Sequence, residues 1–241
     1  MSKYDLVIFD FDGTLADTRN IIVAAKQETI RRHGLPFRDE AACAATIGLS
    51  ATAGFLVLYE DMDEATAEEL TKEYRALFEE YRTKMPPEIF PHVEETLQKL
   101  SEAGVFLTVA SSRNTPSLLG FLRTMDLMKY FSLVLGSDDT KLLKPEPEPV
   151  LETFRRMEGL SKNGGSQYHD LRRVLCGERA FPAANALVVG DMPFDIKMGK
   201  NAGADAVGVT YGNASQKELL ESGADYIIDD MADLYKIVME G

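Results

Sequence analysis

Cysteine is scarce in this chain: there are two in 241 residues, Cys43 and Cys176, far apart and without a C-x-x-C pair. The three histidines, His33, His92 and His169, are scattered as well. No zinc site of thiolates or imidazoles is visible, a small disulfide-stapled scaffold is excluded, and both thiols are expected to be buried and reduced. Long apolar runs are also missing. No stretch approaches the ~18 residues needed to cross a bilayer, and no signal-peptide core opens the chain, which reads as cytoplasmic and without a membrane partner. Basic residues are in deficit, 26 Lys and Arg against 39 Asp and Glu, for a net charge of −13. Such a surface repels a phosphate backbone and argues against a nucleic-acid partner. Small anions remain possible ligands wherever positive charge is focused locally. Internal repeats and low-complexity segments are absent.

What remains is a globular composition, 45% hydrophobic and 27% charged, long enough for one large domain or two modest ones. Residues 4–9 form a short β-branched apolar run that stops at Asp10-Phe11-Asp12-Gly13, a buried strand entering a tight loop. Residues 20–33, 39–59 and 63–82 have helical spacing, and no strand is expected between Asp17 and Pro86-Pro87. Beyond that point helices and strands alternate. Helix 92–103 precedes strand 105–110, helix 115–128 precedes strand 131–135, and a helix opens at Pro145 and runs to about Glu158. Strand 186–189, a helix to Asn201, strand 206–209 and strand 226–228 follow. Alternation of this kind implies a parallel sheet covered on both faces, an α/β fold with a Rossmann-like core. The helical stretch interrupts it as an insertion, giving a core of residues 1–16 and 88–241 and an all-helical cap domain of 17–87. Residues 161–182 form an excursion of the kind that stays on the surface, with one possible short helix.

In parallel α/β sheets, ligands bind at the carboxyl ends of the strands, and polar residues gather there. Asp10 and Asp12 follow the first strand, Ser111 the next, Lys144 precedes a helix, and Asp191 follows another strand with Asp195 one turn on. Singly, each is an ordinary helix cap or a solvated charge. Together, Asp10, Asp12 and Asp191 would converge, and like charges so close resist ionisation unless a cation neutralises them. An all-oxygen donor set suits Mg2+, which binds through one or two carboxylates plus a substrate phosphate. Lys144, the Ser111 hydroxyl and backbone N–H groups of the loop from Phe11 to Thr14, with Gly13 permitting close approach, would form an anion socket.

The run Asp10-Phe11-Asp12-Gly13-Thr14-Leu15, Ser111 after a strand, Lys144-Pro145, and Gly190-Asp191-x-x-x-Asp195 resemble all four motifs of the haloacid-dehalogenase-like hydrolases, and the helical insertion resembles the cap of their phosphoglycolate-phosphatase-like branch. The resemblance implies a Mg2+-dependent phosphatase acting on a small phosphorylated metabolite, as a monomer or homodimer. It implies Asp10 as nucleophile, Asp12 as general acid and base, and Ser111 and Lys144 as partners of the transferring oxygens. The metal would be held by Asp10, Asp12 through its backbone carbonyl, and Asp191, with Asp195 behind them. Phe11, Gly13, Thr14, Ser112 and Arg113 would border the substrate. Ser111-Ser112-Arg113 departs from the commoner Thr-Asn-Lys form but keeps the hydroxyl. Gly48-Leu49-Ser50 resembles a specificity loop, and Arg19 lies near the hinge; a helix break and a solvated charge explain them equally well. A sugar-phosphate mutase shares the chemistry, although Thr14 stands where such mutases commonly carry valine. A receiver-like signalling module or a phosphate-binding module without catalysis is the third reading.

Overall fold

The structure, a computed structural model, describes residues 2–162 and 185–240. Strand β1 (Leu6–Phe9) is buried at every position and lies at the centre of a six-stranded sheet. It pairs in parallel with β4 (Phe106–Ala110) on one side and with β6 (Ala186–Gly190) on the other. Outside these lie β5 (Leu133–Leu135), β7 (Asp205–Val209) and β8 (Tyr226–Ile228), in the order β5-β4-β1-β6-β7-β8, all parallel. The chain thus works outward from β1 to one edge and then restarts beside β1 toward the other. That reversal opens a crevice at the carboxyl ends of β4, β1 and β6.

Side chains alternate across the sheet. Val7 and Phe9 join a core with α5 (Val93–Glu102), α6 (Thr115–Thr124) and α10 (Leu234–Glu240), whereas Leu6 and Ile8 face α7 (Glu148–Lys162) and α8 (Pro193–Asn201). A short helix, α9 (Gln216–Glu221), lies between β7 and β8.

Four helices are inserted after β1: α1 (Arg19–Arg32), α2 (Glu40–Ala44), α3 (Ala51–Leu58) and α4 (Glu64–Lys84). Asp39, Ser50 and Asp63 cap α2, α3 and α4 through their side chains, each satisfying an otherwise unpaired first-turn N–H. Along α4, Ala67, Leu70, Thr71, Tyr74, Leu77 and Phe78 make a buried stripe at helical spacing. From it a chain of rings, Phe55–Tyr74–Phe78–Phe121–Phe11, runs from the insertion to the sheet with centroids 5.6–6.1 Å apart.

The structure corrects several element boundaries. A two-residue antiparallel ribbon, β2 (Ala16–Asp17) with β3 (Glu88–Ile89), joins the two ends of the helical stretch, outside the strands read from the sequence; two residues are too few to show a period. The helix placed at Pro145 begins at Glu148 instead. Residues 143–146 form a turn in which the Glu146 N–H donates to the Leu143 carbonyl, and the Glu148 carboxylate accepts from the Lys141 and Leu142 N–H groups. Helix 115–128 stops at Thr124 because Asp126 takes a left-handed conformation, φ 57°. Cys43 is buried and free. The excursion beyond Lys162, its possible helix and Cys176 lie outside the described residues.

Candidate active site

Asp10 continues β1 by one residue, its N–H donating to the Val189 carbonyl at 2.9 Å. The chain then turns sharply: the Phe11 carbonyl accepts from Leu15 and Ala16, and Gly13 sits at φ +88°. A Cβ on Gly13 would lie 2.2 Å from Asp191 Oδ2, so only glycine admits both the left-handed turn and the carboxylate beside it.

Asp10, Asp191 and Asp195 bring carboxylate oxygens within 4.8 Å of one another, all buried. Lys144 Nζ donates to Asp10 Oδ1 at 2.5 Å and to Asp195 Oδ1 at 2.7 Å. Asp195 Oδ2 accepts from the Met192 N–H at the start of α8, at 3.0 Å. Asp191 Oδ2 accepts from the Asn213 backbone and side-chain amides, both at 2.8 Å, and its Oδ1 accepts from Thr14 Oγ1 at 3.3 Å. Asp10 Oδ2 is buried and has no partner.

Burial pushes the Asp10 carboxyl well above the usual range, although Lys144 opposes it. Burial, then the charge of Asp195, pushes Asp191 up to about 7 despite the two Asn213 donors. Lys144 loses hydration on burial, but Asp10 and Asp195 outweigh this and raise its pKa. With all three ionised, three carboxylates against one ammonium would leave two negative charges in a buried site. That surplus of negative charge and the all-oxygen donor set fit a hard divalent cation.

The Asp12 carboxylate lies elsewhere. Its Oδ1 accepts from Thr18 Oγ1 at 2.7 Å and Arg113 Nη2 at 2.5 Å, and its Oδ2 from Arg113 Nε at 3.1 Å. The third carboxylate of the cluster is therefore Asp195, which comes within reach because α8 starts directly over the end of β6. Arg113 is nearly buried, its guanidinium 4.4 Å from the Phe78 ring centre and 4.8 Å from that of Phe121. Ser111 follows β4, and its hydroxyl accepts from the Arg113 N–H at 3.2 Å. Ser112 donates to the Gly48 carbonyl at 2.6 Å, tying the β4 end to the loop between α2 and α3. Phe11, Gly13 and Thr14, expected to border the substrate, are buried, and the Gly13 and Thr14 N–H groups donate within the turn to the Ala16 and Phe11 carbonyls. Arg19 turns to Asn213 and Glu40.

A cavity of about 400 Å3 opens from these groups. Asp10, Asp12, Ser111 and Arg113 form one wall; the 46–51 loop, Lys26 of α1, and Tyr74 and Arg82 of α4 form another. Sequence reasoning missed Asn213, Lys26 and Arg82. Asn213 was findable as a polar residue just past a strand end. Lys26 was findable as a charge between Ile22 and Ile30 on the buried face of a helix.

A parallel sheet with a buried acid–lysine centre at its point of reversal is an α/β fold with polar groups gathered where such folds bind ligands. Comparison with known proteins specifies it further. The model of the haloacid dehalogenase-like hydrolase family matches residues 7–209. The chain is 34% identical over 233 residues to the “Probable phosphatase IndB” of Dickeya dadantii (strain 3937), covering 95% of this chain and 91% of that protein. It is 30% identical over 251 residues to the phosphoglycolate phosphatase of Salmonella choleraesuis (strain SC-B67), covering 95% and 90%. A solved Bacteroides fragilis structure, assigned to the haloacid dehalogenase-like hydrolases, superposes with a TM-score of 0.83 at 26% identity, covering 96% of this chain and all of the other. The chain belongs to the haloacid dehalogenase-like hydrolases, in their phosphoglycolate-phosphatase-like branch, and is an enzyme of the phosphatase class.

Proposed function

We propose that the protein hydrolyses a small phosphate monoester in the presence of Mg2+ through an aspartyl-phosphate on Asp10. The observation that carries this reading is Asp10 itself. Lys144 holds one of its carboxylate oxygens, the other is buried without a partner, and the residue borders the cavity. The free oxygen attacks phosphorus, and the bond from phosphorus to the leaving alcohol breaks. Asp12 gives its proton to that departing oxygen, then takes one from the water that attacks the phosphoryl group, releasing phosphate and restoring Asp10. Asp12 must leave Arg113 to do so, a rotation within the same cavity wall.

Lys144 and the Ser111 hydroxyl stabilise charge on the transferring oxygens, and Asp195 aims Lys144. Asp10, Asp191 and the Asp12 backbone carbonyl would hold Mg2+, which would supply the positive charge that lets one anion approach another. Ser112 and Arg113 line the cavity where the organic part of the ester would rest. Residues 1–16 and 88–241 act as the catalytic core, with 17–87 as a cap that encloses the substrate.

Phosphate release from a panel of small monoesters, with Mg2+ and with excess chelator, tests the reading. Metal-dependent release is expected, and Asp10→Asn should lower it by about four orders of magnitude or more. Equal release in chelator, or near-normal turnover by Asp10→Asn, would overturn it. Transfer of the phosphoryl group to a second sugar in place of water would assign a mutase.

A further inference from the structure

The cavity is electrostatically lopsided. At the near wall the charges are matched: Asp12 has Arg113, and Lys144 has Asp10 and Asp195. Lys26, 3% exposed, lines the same cavity. Its ammonium donates to Thr46 Oγ1. That hydroxyl spends its own hydrogen on the Cys43 carbonyl at 2.8 Å, which fixes it as the acceptor. Among the described residues no carboxylate is in ion-pair contact with Lys26, Asp12 acts on it only over a longer range, and two of its three N–H bonds have no acceptor in the protein. Gly54 makes room for it, since a Cβ there would lie 3.1 Å from Nζ. On the same wall, Arg82 Nε is buried without an acceptor. The one carboxylate beside it, Glu79, is taken by Arg82 Nη2 at 2.7 Å.

A buried ammonium without a contacting counter-ion costs the fold stability, and burial, against the longer-range pull of Asp12, lowers the Lys26 pKa to about 8. A neutral sugar hydroxyl would accept one of the free N–H bonds but leave the charge uncompensated. An anion would do both, and the desolvated setting would strengthen the contact.

We infer that Lys26, supported by Arg82, is a specificity-determining residue that binds a second anionic group on the organic part of the phosphate ester. The preferred substrates then carry a carboxylate or a second phosphate at the end away from the bond that breaks. This assignment rests on the phosphatase reading for its near end only.

The test measures binding separately from turnover. Full-length protein carrying Asp10→Asn, with Mg2+, is titrated calorimetrically with ethyl phosphate, phosphoglycolate and ethanediol bisphosphate. The esters with a charged tail should bind about 30-fold tighter than ethyl phosphate, and the stronger of the two identifies the anion. Adding Lys26→Met should erase that ratio, and Lys26→Arg should restore part of it. A merely structural lysine would instead lower the thermal midpoint when replaced by methionine, whereas removal of an uncompensated charge should leave it equal or higher. Equal affinity for all three esters, or a ratio unchanged by Lys26→Met, would overturn the inference. If wild-type protein releases no phosphate yet the ratio holds and depends on Lys26, the phosphatase reading falls and the anion site stands.

Discussion

Lys26 and Asp191 show at single positions how this protein trades stability for a binding site. The native state gives up the Lys26 proton near pH 8, whereas the unfolded chain keeps it to about the ordinary 10.5. Between those values the unfolded state binds more protons, so stability from this group rises with pH. Below pH 8 the full penalty is present, roughly 3 kcal/mol; above 10.5 it is gone. Lys26→Met should therefore be more stable than wild type at pH 7, with the gap closing toward pH 10.5. Denaturant melts of both proteins at pH 7 and pH 10 measure this, and a gap independent of pH would contradict it. Asp191 is raised to about 7 by burial and by Asp195, so a divalent cation should stabilise the native state alone. At a hundred times its dissociation constant, Mg2+ should add about 2.7 kcal/mol to wild type. Asp191→Asn should lose most of that gain while being no less stable without metal, as calorimetric scans with and without Mg2+ would reveal.

At the scale of elements, the turn after β1 carries the geometry. Gly13 holds φ +88° and leaves Asp191 Oδ2 the space a Cβ would occupy. Gly13→Ala should cost about 1–3 kcal/mol from the left-handed backbone, and displacing Asp191 should also weaken the Mg2+ response. A variant that melts lower but keeps the full Mg2+ shift would show that the turn and the cation site are independent. Helix α1 follows the same logic from the other side of the cavity. Ile22, Lys26, Thr29 and Ile30 share its buried face, and the cation interrupts an otherwise apolar stripe. Such an interruption is visible in the sequence, but its meaning depends on which groups stand around it, and those come from α4 and the 46–51 loop.

For the whole molecule, the insertion joins the core through the β2–β3 ribbon, the Ser112 to Gly48 hydrogen bond and the Phe55–Phe11 ring chain. If residues 17–87 move as a unit about the ribbon, binding at the cavity should draw them in. Small-angle scattering should then give a smaller radius of gyration with Mg2+ and a phosphate analogue than without; superimposable profiles would count against closure.

The sequence by itself determined the parallel sheet, the helical insertion and the residues at the strand ends. Each of these is a local signal: β-branched runs such as 6–9, helical spacing such as 64–84, or an acid placed where a strand must stop. Asp10, Ser111 and Asp191 were legible as polar residues at strand ends, Asp195 as an acid one turn on, and Lys144 through the resemblance of its Lys-Pro motif. Only the tertiary structure decided which of them meet. Asp195 joined Asp10 and Asp191 around Lys144, while Asp12 went to Arg113, whose guanidinium rests on Phe78 from the insertion and Phe121 from the core. Lys26, Arg82 and Asn213 entered the site by the same route. Pairing and burial of charges depend on distances between segments far apart in the chain, and those distances are set when the helices pack across the crevice.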